Sequence, residues 1–224
     1  MLILEKKKID EYIEPLILYT VLFFRFPPGT VQIAETVEFS TYAEIVRIFF
    51  CNLPSLALIW YLLLRKRRLE NWGIGFSAKK DLISAALSLP ALICIGLTVS
   101  LVSPYFNDIP NGPRFLPPGD TVSWIVLSLS CFSTAYLEES FFRFYLLSKK
   151  TRLGLGPYRA VLISTLLFSV CHIYEGPWGF LNSALSGIVL AFVFLRFRSL
   201  HGISAAHALY NILSFVLRVL PGEQ

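Results

Sequence analysis

Glu138 and Glu139 stand side by side in the middle of an apolar run, and Arg143 follows four residues after the second of them. If residues 121–147 form a membrane-crossing helix, the pair lies eleven residues from Lys149, about 16 Å below that surface and near the bilayer midplane at 1.5 Å per residue. Charge at that depth costs several kcal/mol, so packing alone does not explain two adjacent carboxylates. Glu139 and Arg143 share a helical face and can form an ion pair, which leaves Glu138, rotated by about 100°, pointing elsewhere. A carboxylate free of that pair suits general acid–base work. The plain alternative is a structural Glu–Arg clamp between helices.

Two further pairs have the same four-residue spacing: Phe168 with His172 at the end of one apolar run, and His207 with Asn211 inside the last. A lone histidine near a helix end is commonly an interfacial or hydrogen-bonded residue, and a histidine and an amide flanked by Ala205, Ala206 and Ala208 also make good helix–helix glue. The three features together favour convergence, because packing alone would otherwise have to bury two carboxylates, two histidines and an amide in one bundle. His201, beside Gly202, falls outside this pattern and reads as structural.

Intramembrane hydrolysis needs a water activator, donors for a developing oxyanion and a route for water, and this inventory supplies the first two. Rival chemistries lack their signatures: there is no HExxH, no G-x-S-x-G and no aspartate within a span to build an aspartyl dyad. Cys171 adjoins His172, but neighbours on a helix diverge by about 100°, which disfavours a thiolate–imidazole pair.

The elements that must position these residues follow from composition. The 224 residues are 55% hydrophobic and 16% charged, with a mean hydropathy of +0.62, well outside the soluble range of about 25% charged. One integral membrane domain over 1–224 is expected, an all-α polytopic bundle of about six to eight spans. Apolar runs cover 42–64, 82–103, 121–147, 158–172, 178–195 and 200–220, with a shorter one at 15–26. No A-x-A-like site suggests signal cleavage. Residues 104–120, with five prolines and two glycines, read as an irregular lid or turn. The four cysteines show no CxxC spacing and read as core. No nucleic-acid signature accompanies the net charge of +5.

Counting the first run as a crossing places fifteen of the twenty basic residues on one side: Lys6 to Lys8, Arg65 to Arg68, Lys79, Lys80, Lys149, Lys150, Arg152, Arg159, Arg196 and Arg198. The opposite loops hold only Arg114, while Arg25, Arg47, Arg143 and Arg218 lie within or at the edges of spans. The positive-inside rule then predicts a multi-pass cell-membrane protein with seven crossings, a cytoplasmic N-terminus and an external C-terminus.

The ordered motifs E-E-x-x-x-R, F-x-x-x-H and H-x-x-x-N resemble those of the CAAX protease and bacteriocin-processing family of glutamate-type intramembrane endopeptidases. The likeness covers about residues 121–220. It implies that Glu138 activates the attacking water with help from His172, that His207 and Asn211 stabilise the oxyanion, and that Glu139, Arg143 and Phe168 support them. It also leaves zinc possible, with Glu138, His172 and His207 as ligands. The metal-free version is preferred, since asparagine is a poor zinc ligand and no second carboxylate is free to orient both histidines. The implied substrate is a membrane-tethered protein or peptide cut near its embedded end, whether a CAAX tail, a bacteriocin leader or a C-terminal sorting anchor, and the chain's size suggests a prokaryotic member. Two other readings use the same residues: a non-enzymatic immunity or partner-binding protein, and a proton or cation transporter, the latter disfavoured by the absence of inverted repeats.

Overall fold

A computed structural model describes residues 2–23, 36–65, 75–106, 114–149 and 154–217, with no side-chain description for 2–11, 114, 115 and 149. Lys66, Arg67, Arg68, Lys150, Arg152, Arg25 and Arg218 lie outside the described residues, as do residues 24–26 of the first expected run. The chain is an all-α membrane bundle, with seven helices among the described residues. They are α1, Leu2–Leu22; α2, Thr41–Arg65; α3, Ala78–Val102, extended by a 3₁₀ turn at Ser103–Tyr105; α4, residues 121–149; α5, Pro157–Val170; α6, Gly176–Phe197; and α7, Leu200–Leu217.

Four helical stretches are long and apolar enough to cross a bilayer: Thr41–Arg65, Ala78–Tyr105, Ile173–Phe197 and Leu200–Leu217. The outer surface of the bundle displays large apolar side chains such as Phe50, Leu82, Leu101 and Leu166, while serines 84, 88, 130, 164 and 204 are buried. This is the distribution that lipid demands, because small residues let helices approach where hydrophobicity alone gives no preference for the interior.

The first span differs from the expected 15–26. The helix begins at Leu2, Pro15 lies inside it, and its described apolar part is Tyr12–Leu22, about 16 Å. This part docks on the bundle. Tyr19 donates to the Leu167 carbonyl at 3.0 Å, Tyr145 donates to Glu14 at 2.5 Å, and Phe23 packs on Phe141 and Phe142 with ring centroids 5.0 and 4.8 Å away.

The expected irregular segment 104–120 also acquires some order. Arg114–Phe115 pairs in parallel with Thr36–Val37, and the Leu116 N–H continues the ladder to the Val37 carbonyl at 2.9 Å. Residues 107–113 lie outside the described residues. Asp120 then caps α4, accepting from the Ser123 hydroxyl at 2.5 Å and the Ser123 N–H at 3.0 Å, which holds its carboxyl below the usual carboxylate range.

Both helices that frame the charged pair contain a π-helical stretch. In α2 it covers Arg47–Asn52, just ahead of Pro54, whose missing N–H and ring exclude a regular bond to the Phe50 carbonyl. In α4 it covers Ser140–Leu146, immediately after Glu139, and the buried Ser164 hydroxyl picks up the Phe142 carbonyl at 2.6 Å. A polar ladder runs down the α2–α4 seam. Thr41 meets Ser123 at 2.7 Å, Arg47 donates to Ser130 at 2.8 Å and pairs with Glu44, Asn52 donates to Ser133 and Thr134 at 2.9 Å, and the Trp60 indole donates to Ser140 at 3.1 Å.

α3 and α7 come into close contact at Gly202. A Cβ there would strike the Asp81 carbonyl and come within 2.8 Å of Ser84 Cβ and Ser199 Oγ. The same corner is locked by Asp81, which accepts from Ser199 at 2.5 Å and from the Ser77 N–H at 2.9 Å. Gly202→Ala is expected to cost about 1–3 kcal/mol by overpacking against backbone that cannot yield, read as a lower denaturation midpoint in detergent, whereas Gly119→Ala, with nothing within 4 Å, is expected to be silent.

Candidate functional site

The polar cluster is built around α4. Glu139 and Arg143 are fully buried and form an ion pair, Nε to Oε2 at 3.1 Å. The other Glu139 oxygen accepts from His207 Nδ1 at 2.9 Å, so the carboxylate is held from two helices at once. Arg143 lies over the Phe168 ring at 4.3 Å, and its Nη2 reaches the Gly187 carbonyl at 3.5 Å. A side chain at 187 would stand 3.2 Å from Phe168 Cδ1 and 3.4 Å from Arg143 Nη2, so glycine is what lets α6 close on this pair.

Phe168 is the platform of the cluster. It is 2% exposed, and besides Arg143 it contacts the His172 ring at 4.6 Å, the His207 ring edge-on at 5.9 Å and Phe142 at 5.3 Å. α5 carries it and then stops. Fourteen residues give about 21 Å of helix, less than a hydrocarbon core of about 30 Å, and His172 just past its end lines the same cavity as Glu138. The helix begins and ends within two residues of the expected 158–172. His172 also caps the helix it ends: its Nδ1 lies 2.8 Å from the Phe168 carbonyl, which can only accept, so Nδ1 carries the proton and Nε2 of the neutral ring is left with its lone pair.

Glu139 Oε2 makes no hydrogen bond but is ion-paired with a buried arginine, and Glu138 lacks such a partner. Its side chain is 12% exposed on the wall of a cavity of about 920 Å³, and its buried Oε2 has no hydrogen-bond partner among the described residues. The nearest charged partner is His207 Nε2 at 3.7 Å, beyond hydrogen-bond distance. Phe168, His172, His207 and Asn211 line the same cavity, and no protein group among the described residues pairs with the Asn211 amide. The structure therefore brings Glu138, Phe168, His172, His207 and Asn211 to one cavity and sets Glu139 and Arg143 behind it. A carboxylate with a free oxygen, an imidazole with a free lone pair and an unengaged amide on the wall of one cavity can bind and deprotonate water and donate to an oxyanion.

His201 lies apart, 3.2 Å from the Tyr136 hydroxyl through Nδ1 and beside Phe76 at a ring distance of 6.3 Å. No one carboxylate orients both histidines, but each ring has a partner of its own. Glu139 orients His207 and a main-chain carbonyl orients His172, so the second-sphere contacts that metal-binding imidazoles require are present. The ligand count is the obstacle: among the described residues no group of three or more His, Cys, Asp or Glu side chains converges closely enough to hold an ion. As arranged, Glu138, His172 and His207 do not fit a shared zinc.

Two features are not read from the sequence: Gly187, whose role is visible only once α6 is docked, and the Glu44–Arg47–Ser130 cluster, whose serine lies more than eighty residues from the other two. The overlooked signal was a Glu and an Arg three apart inside an apolar run, the same kind of cue that exposed Glu138.

Residues 120–213 match the family described as Type II CAAX prenyl endopeptidase Rce1-like, a stretch that contains every motif residue named above. No curated protein and no solved structure matches the chain.

Proposed function

From the premise that residues 120–213 are Rce1-like, a CAAX-type endopeptidase segment, we propose that this chain hydrolyses a peptide bond near the membrane-embedded end of a tethered protein or peptide, with Glu138 activating the water. The observation that carries the reading is Glu138 Oε2, a buried carboxylate oxygen without a donor on the wall of a cavity that also holds both motif histidines. Such an oxygen is costly unless something it binds in function completes it.

In this mechanism a water held between Glu138 and His172 Nε2 gives up a proton to the carboxylate as its oxygen adds to the scissile carbonyl carbon. Negative charge gathers on the carbonyl oxygen, where the Asn211 amide donates. His207 donates there only when its ring carries protons on both nitrogens, because Nδ1–H is committed to Glu139. The C–N bond then breaks, the proton taken by Glu138 passes to the departing amine, and a carboxylic acid and an amine leave. Glu139 and Arg143 touch no substrate atom in this scheme and act by holding His207 and Phe168 in place.

Asn211→Ala is expected to lower kcat by about 10²–10³-fold with little change in KM, as for loss of one oxyanion donor, checked by steady-state cleavage of a tethered fluorogenic peptide. The reading as a whole is tested by deleting the chain from its cells and comparing membrane proteomes. A protein whose hydrophobic tail or leader accumulates uncut, and is cut again on restoring wild type but not Glu138→Gln, supports it. An unchanged membrane proteome contradicts it.

A further inference from the structure

We infer that the cavity admits its substrate from the non-cytoplasmic face of the membrane, so that the tethered segment it cuts belongs to an exported protein or peptide. The inference rests on the endopeptidase reading for what enters, and on helix polarity and charge for the side of entry.

The two ends of the bundle are chemically distinct. At one end the start of α2 meets the start of α4 through Thr41 and Ser123, and the end of α3 meets the start of α6 through Phe106 and Trp178, ring centroids 5.7 Å apart. The cavity opens at this end. Glu38, Ser40, Ser100, Tyr174 and Leu217 line it and are exposed, and it runs inward to Glu138 and His207. At the other end Phe76 before α3 meets His201 at the start of α7, and Asp81 meets Ser199. That end holds Arg65, Lys79, Lys80, Arg159, Arg196 and Arg198, and none of them lines the cavity.

Lysine and arginine are retained on the cytoplasmic side of short loops, and the bias here is one-sided. In sequence Lys66, Arg67 and Arg68 follow directly on Arg65, and Lys149, Lys150 and Arg152 precede Arg159. Near the mouth stand two basic residues: Arg114, in the strand pair with Thr36, and Arg47, which lies inside α2, paired with Glu44 and bonded to Ser130. The closed end is therefore cytoplasmic and the mouth external. A prenylated tail presented from the cytosol would have to pass the closed end, where the buried Phe141, Phe142, Phe144 and Tyr145 fill the space beneath Glu138.

Gly119 and Gly156 are exposed, admit a Cβ with nothing within 4 Å, and sit at opposite ends of the bundle. Intact cells expressing Gly119→Cys or Gly156→Cys are treated with a membrane-impermeant maleimide before or after permeabilisation, with the unsubstituted chain as the blank for its four native cysteines. Full labelling of Gly119→Cys in intact cells, with Gly156→Cys at blank level until permeabilisation, is the expected result. The reverse pattern, or labelling of Gly119→Cys only after permeabilisation, overturns the inference. Glu38→Cys and Gly75→Cys report the same two ends by the same criterion. Labelling does not depend on turnover, so an inactive protein leaves this outcome intact, whereas a product cut on its cytosolic segment would overturn the side of entry while upholding the endopeptidase.

Discussion

Glu138→Gln is expected to lower turnover by about 10³-fold or more while leaving helix content and denaturation midpoint close to wild type. The substitution keeps the shape of the side chain and removes its capacity to take a proton from water. Folding is expected to tolerate it because the carboxylate contributes little to the native state: Oε2 has no hydrogen-bond donor among the described residues, and His207 Nε2 stands 3.7 Å away. KM is expected to hold, since Glu138 acts on the water and not on the remainder of the peptide. The check is kcat and KM for a tethered peptide in proteoliposomes, beside circular dichroism of the same preparations. A variant that loses both activity and fold would instead make Glu138 a structural clamp.

Arg143→Met is the converse case, with its largest effect on stability. The guanidinium is fully buried, pairs with Glu139 at 3.1 Å and stacks on Phe168 at 4.3 Å. Removing one partner of a buried pair strands the other, at a cost of about 3–5 kcal/mol. Glu139 would then keep only its contact with His207. Restoring neutrality by adding Glu139→Gln is expected to recover part of the loss, so the double variant should be more stable than the sum of the single variants implies. Arg143→Lys should rescue poorly, because an ammonium has neither the planar face that stacks on Phe168 nor the fork that spans Glu139 and Gly187. Denaturant unfolding in mixed micelles reads all four proteins. Strict additivity would mean that Glu139 and Arg143 do not act as a pair.

How much of this the sequence discloses depends on the range of the interaction. The i,i+4 relations of Glu139 with Arg143, Phe168 with His172 and His207 with Asn211 are local, and helix periodicity alone places each pair on one face. The apolar runs that became α2, α3, α6 and α7 are legible for the same reason, since lipid leaves few options for a long apolar segment. α5 is legible as well, Pro157–Val170 against the expected 158–172, whereas the 3₁₀ turn at Ile173–Glu175 that follows it and the His172 contact with the Phe168 carbonyl are not. The two Glu139 partners illustrate the same divide. Arg143 is foreseeable from spacing, whereas His207, sixty-eight residues on, depends on how α7 crosses α4. The β1–β2 pair, Thr36–Val37 with Arg114–Phe115, joins two segments rich in turn residues and has no sequence signature of its own.

The central claim is that Glu138 activates water for peptide-bond cleavage, and the most direct measurement is product formation by the purified chain in liposomes. Wild type and Glu138→Gln are incubated side by side with the tethered protein that accumulates in deletion cells, and the products are weighed by mass spectrometry. The account predicts two fragments from wild type whose masses sum to that of the substrate plus one water, and intact substrate from the variant. Equal cleavage by both proteins, or intact substrate from both, would contradict it.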